Sequence, residues 1–154
     1  MWNLRRTRVV TCPETNEPAA VTGKTHLHSC SRWPERAGCD QICIKQIATA
    51  PDGCLVKSLV ARWYEGKSCV ECGRPIGEIS WHEAAPALRL FDGTSHEWSD
   101  FLPQDLPNLF LLCEPLCWYC NNRDEAMKLR PDLVLKREHP VRRPEPPLKS
   151  KTIY

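Results

Sequence analysis

The sequence predicts a small α+β fold whose thin core is stapled through its cysteines. Three observations predict it. The chain has 154 residues, and ten of them are cysteine. Long apolar runs are missing, so apolar burial alone is meagre for a chain of this size. Short β-branched segments alternate with segments of helical period, giving short β-hairpins and three helices.

The elements follow in order. Arg8-Val9-Val10-Thr11 is β-branched and predicts a strand. Cys12-Pro13-Glu14-Thr15-Asn16-Glu17-Pro18 is turn chemistry, and Ala19-Ala20-Val21-Thr22 returns as a second strand. Thr25-His26-Leu27-His28 predicts a third. A helix is expected from Cys39 to Ala50, stopped by Pro51-Asp52-Gly53. These elements make a hairpin-plus-helix module over 1–51. Leu55, Leu59 and Trp63, with Val56 and Val60, recur at helical spacing and predict a helix from Cys54 to Tyr64. Gly66 fits its stop. Ile76 to Trp81 reads as strand and Asn121 to Leu129 as helix, ended by Arg130-Pro131. They belong to a second module over 52–135. The tail over 136–154 mixes Pro140, Pro144, Pro146 and Pro147 with basic residues, and disorder is expected there. Trp33, Trp63, Trp81, Trp98 and Trp118 are expected to pack within the folded parts.

The staple depends on the compartment. Arg5, Arg6 and Arg8 crowd the start without an apolar stretch behind them, which argues against a signal peptide. No run approaches the roughly 20 apolar residues of a membrane span. A cytoplasmic location is the expectation, and reduced thiols there favour metal over disulfide. The net charge of +2 names no partner. The basic ends, with Lys136, Arg137, Arg142, Arg143, Lys149 and Lys151 at the far one, allow weak contact with nucleic acid or an acidic protein. Their simplest role is solubility.

Two cysteine quartets stand out. Cys69-Val70-Glu71-Cys72-Gly73 and Cys117-Trp118-Tyr119-Cys120 are CxxC pairs. A CxxC-Gly turn presents two thiolates on one side of a tight loop, with glycine supplying the positive φ. The second pair opens a predicted helix, where the N-terminus favours thiolate. Four thiolates satisfy the tetrahedral preference of zinc. The second quartet is Cys12, Cys30, Cys39 and Cys43, the last two placed on one helix face. Cys54 and Cys113 are left over. His26 and His28 alternate on a strand, so at most one of them is expected to serve a site with these cysteines. An iron–sulfur cluster is the alternative occupant of the thiolates.

A knuckle followed by a helix-borne CxxC resembles the treble-clef type of zinc finger. With Ser80-Trp81-His82 and Pro107-Asn108-Leu109-Phe110-Leu111-Leu112-Cys113, ending in Cys120-Asn121-Asn122-Arg123, it also resembles the HNH endonuclease finger. That resemblance implies His82 as general base, Asn108 as orienting residue, Asn122 near a metal position, and metal-assisted phosphodiester hydrolysis. No acidic residue or second histidine precedes His82 in the HNH manner. The string Cys113-x3-Cys117-x2-Cys120 resembles the radical S-adenosylmethionine cluster motif, but too little chain follows it for that barrel. Closed four-thiolate sites leave no open coordination position, so a non-catalytic binding or scaffold module is the expected function.

Overall fold

The computed structural model describes residues 3, 5–35, 38–76 and 84–135. Trp81, His82 and the tail over 136–154 lie outside the described residues, as does most of the strand expected over 76–81.

Small antiparallel sheets and helices make an α+β domain. The elements are β1 (Arg8–Thr11), β2 (Pro18–Gly23), β3 (Leu27–Cys30), α1 (Ile44–Thr49), α2 (Pro51–Cys54), α3 (Val56–Tyr64), β4 (Ala87–Arg89), β5 (Ser95–His96), α4 (Leu106–Leu112), β6 (Glu114–Leu116), α5 (Trp118–Asn121), α6 (Arg123–Leu129) and α7 (Pro131–Leu135). Single 3-10 turns occupy Trp98–Asp100 and Pro103–Asp105. The first sheet has the order β1-β2-β3 and the second β5-β4-β6, antiparallel throughout. No helix among the described residues is long and apolar enough to cross a membrane.

The first hairpin forms where β-branched residues face the core. Val10 pairs with Ala19, and both are buried with Val21, Leu27 and Ile47. Gly23 is required at its position. Its φ is +130°, and a Cβ there would meet the His26 carbonyl oxygen at 2.1 Å.

The helix expected from Cys39 starts only at Ile44. Gln41 takes φ 53°, outside the helical region, and its side-chain oxygen accepts the Leu27 N–H at 3.0 Å. Cys39 and Cys43 therefore do not share a helix face. Pro51 and Pro131 stand just past the ends of α1 and α6, as expected of stops, and each also begins a new helix, because proline at the first helical position forfeits only an orphan N–H. Cys54 consequently ends α2, and the next helix begins at Val56. The helix expected over 121–129 is broken at Asn122 into α5 and α6.

A second core gathers Val56, Val60 and Tyr64 of α3 with Leu88, Trp98, Leu106 and Leu109. Trp98 Nε1–H donates to the Tyr64 hydroxyl at 2.7 Å, and that hydroxyl donates to the Ala87 carbonyl. Every polar atom at this buried junction is thereby matched. Contacts cross position 51. Val56 N–H bonds the Thr7 carbonyl at 3.0 Å, Arg8 bridges to Leu55, and Val9 packs on the second core.

Candidate metal centre

The third cluster of buried residues is small. It holds Cys69, Ala87, Leu116 and Cys117, with Cys72 and Cys120 packed against it. Two local structures bring the cysteines there.

The first is a knuckle. Ser68 and Pro75 bridge across it, Cys69 N–H bonds the Arg74 carbonyl at 2.9 Å, and Gly73 N–H returns to the Cys69 carbonyl at 2.9 Å. Gly73 holds φ 75°, which the sequence anticipates at this turn. Val70 N–H bonds the Pro115 carbonyl at 2.8 Å, fixing the knuckle to β6, and Glu71 pairs with Arg89 of β4. The second is the start of α5. Cys117 sits just before the helix with extended backbone, and Cys120 lies one turn on.

The ligand atoms of Cys69, Cys72, Cys117 and Cys120 all lie within 4.8 Å of one another. Among the described residues, no other set of three or more His, Cys, Asp and Glu does so. Cys72 Sγ and Cys117 Sγ are 3.8 Å apart. Tetrahedral bonds of about 2.3 Å set sulfurs about 3.8 Å apart, so the spacing fits a single thiolate-bound ion. The donor set is soft and its members are buried or half-buried.

The electrostatics of the bare site are lopsided. Hydrogen bonds from the Cys117 and Cys120 thiols hold Cys69 far below the usual thiol range, helped by the backbone N–H groups of Cys72 and Cys117. Cys117 N–H lies 3.3 Å from Cys69 Sγ. The bonds to Cys117 and Cys69, with burial, push Cys120 strongly upward. One thiolate is comfortable here, and four need a cation to cancel their repulsion.

Arg74 was not legible as a site residue, although it follows the Cys-Gly turn directly. Its guanidinium lies 4.6 Å over the Tyr119 ring and donates to Cys117 Sγ at 3.5 Å. This cation clamps knuckle to helix and faces sulfur charge.

The other expected residues fall elsewhere. Cys113 is outside the quartet and packs on the second core, where burial pushes its thiol up to about 11. The Cys113-Cys117-Cys120 string is therefore not one site. Burial also raises Cys54, which packs in the first core. Of the nuclease-like residues, His82 lies outside the described residues. Asn108 is exposed on α4, and the Asn122 amide donates to the Trp118 carbonyl at 3.1 Å. His26 and His28 do not point apart as alternation implies. His26 precedes β3, and the two rings meet edge-on with centroids 4.7 Å apart.

Cys12, Cys30, Cys39 and Cys43 line one cavity of about 40 Å³. Their sulfurs do not all fall within 4.8 Å of one another. Burial raises the Cys43 thiol, and the neighbouring charges of Cys30, Cys39 and Cys12 raise it further. Slight burial opposes ionisation of Cys12, but hydrogen bonds from Thr15 and Glu14 outweigh it and lower that thiol. Between the first sheet and the turn at residues 102–104, Arg5, Arg6, Lys24, His26 and His28 line a broad groove with no carboxylate among its described lining residues.

Comparison with known proteins finds no matching family model, no matching curated protein and no matching solved structure.

Proposed function

We propose that the chain is a non-catalytic binding module built around a structural zinc site at Cys69, Cys72, Cys117 and Cys120, with a treble-clef arrangement of knuckle and helix. One observation carries the reading: four sulfurs from two distant segments converge within 4.8 Å. Four thiolates complete the coordination of zinc and leave no position for a substrate or a reactive water. The same compactness favours one ion over a multi-iron cluster, which divides the four cysteines among two or more irons and spreads the sulfurs further.

The binding surface assigned to this module is the groove over the first sheet. Arg6, Lys24, His26 and His28 are exposed there, and the Thr22 and Ser29 hydroxyls, 2.7 Å apart, line the same groove. The Arg6 and Lys24 cations, beside imidazole and hydroxyl groups and with no carboxylate among the described lining residues, suit a phosphate backbone. The partner class is nucleic acid.

Elemental analysis of anaerobically purified protein, with a visible spectrum of the same sample, tests the metal. Zinc lost on Cys72→Ser and Cys120→Ser, in a colourless protein, is expected. Iron with sulfide and a brown solution would overturn the zinc reading. Binding to labelled oligonucleotides across a salt series tests the partner. Salt-sensitive binding weakened by Arg6→Glu and Lys24→Glu is expected, and binding unaffected by both changes refutes the groove.

A further inference from the structure

We propose that Cys12, Cys30, Cys39 and Cys43 form a second metal site, taking one thiophilic divalent ion such as zinc. It goes beyond the reading above, which rests on the other quartet alone.

The placement comes first. β1 and β3 both run antiparallel to β2, so their C-terminal ends lie at the same end of the first sheet. Cys12 follows β1 directly and Cys30 is the last residue of β3. Cys39 and Cys43 lie on the segment leading into α1, which covers that end. All four line one cavity of about 40 Å³. A water needs about 10–15 Å³, so an ion has room among the sulfurs. Val10, Ala19, Val21 and Leu27 supply an apolar floor. All four cysteines are free thiols, and no disulfide uses them.

The backbone around the sulfurs repeats a feature of the first site. At the first site, Gly73 N–H returns to the Cys69 carbonyl, and the Cys117 N–H, from the other ligand segment, points at Cys69 Sγ. At Cys30, Trp33 N–H returns to the Cys30 carbonyl at 3.0 Å, and Arg32 N–H points at Cys30 Sγ at 3.4 Å. Cys12 likewise opens a turn, closed by Asn16 N–H to its carbonyl at 2.7 Å. Amides aimed at sulfur stabilise thiolate, the form that binds metal.

The oxygen donors that share the lining, Glu14 and Asp40, are exposed. Soft thiolates facing an apolar floor select zinc-like ions over magnesium or calcium. The sulfurs do not all lie within 4.8 Å of one another, so the ion must draw them inward. The segment holding Cys39 has no regular structure before Ile44, and it closes without breaking a helix. On binding, each S–H bond is replaced by an S–metal bond and its proton leaves to solvent. No electron is transferred.

The test is a titration of metal-free, fully reduced protein with Co²⁺ and then Zn²⁺. The readouts are the thiolate-to-cobalt absorption and the zinc count per chain. The wild type is expected to bind two ions. Cys39→Ser/Cys43→Ser should bind one, Cys72→Ser/Cys120→Ser one, and Cys54→Ser, whose sulfur is outside the cavity lining, two. A wild-type count of one, still one in Cys39→Ser/Cys43→Ser, overturns this proposal and leaves the first site standing. A wild-type count of zero overturns both. The wild-type stoichiometry needs no variant to fold, so a misfolded variant does not rescue the idea.

Discussion

Stripping the metal should melt the knuckle and α5 while the second core persists. The magnitude follows from what each cluster contains. Among the described residues around the cysteine quartet, Leu116 is the one large apolar side chain that is buried, and two other buried members are themselves ligands. Ordering the residues from Ser68 to Pro75 costs about 8–16 kcal/mol at 1–2 kcal/mol per residue. Burial of Leu116 returns about 1.5–3 kcal/mol. The backbone bonds of Cys69, Val70 and Gly73 return about 1 kcal/mol each. The shortfall is about 2 to 12 kcal/mol, which the roughly 10–16 kcal/mol of a structural zinc site covers. The second core needs no such help, since Tyr64, Trp98, Leu88, Leu106, Val56 and Val60 are all buried with their polar atoms matched. The assay is amide hydrogen exchange followed by mass spectrometry, with and without a chelator. Protection should fall to near zero over 69–76 and 117–122 and survive over 56–64. Unchanged exchange at the knuckle after demonstrated metal loss would refute the reasoning, and so would simultaneous collapse of α3.

Three further outcomes are expected. Tyr64→Phe strands the Trp98 N–H and the Ala87 carbonyl, and should cost about 2–4 kcal/mol in urea unfolding without changing the metal count. Gly73→Ala forces a Cβ into φ 75° and should cost about 1–2 kcal/mol, read as a lower melting temperature and weaker zinc retention against a competing chelator. Cys113, raised to about 11 by burial, stays neutral in the folded chain while the unfolded thiol ionises near its ordinary 9.0. Stability should therefore fall as pH rises from about 9 to 11, and Cys113→Ala should flatten that part of the unfolding profile; an unchanged slope counts against the assignment.

The legible parts of the sequence were those with a clear local period or a rigid spacing. Val9 and Val10 mark β1, the run from Val56 to Trp63 marks α3, and the two CxxC pairs mark the quartet that the fold brings together. The second sheet was invisible because β5 spans only Ser95–His96 and β4 and β6 three residues each, too short for alternation to register. α4 was hidden for another reason. Its Leu109 is buried while Leu111 and Leu112 are exposed, so the apolar run carries no clean helical face. Pro51 and Pro131 marked the ends of α1 and α6 correctly but hid α2 and α7, since the same residue that ends one helix can open the next. Cys39 was misplaced because a single positive φ at Gln41, set by a bond to distant Leu27, leaves no local trace.

β1 has one more consequence. Val10 faces the first core and Val9 the second, so a four-residue strand serves as a party wall between them. A chain cut between 51 and 52 would leave the downstream half with an uncovered flank where Val9 had been. Each half is therefore expected to lose stability on its own. In a recombined or rearranged gene, the segment from Arg8 to Thr11 must travel with the residues from Val56 to Leu109, and fragments made separately should regain the second core only when mixed.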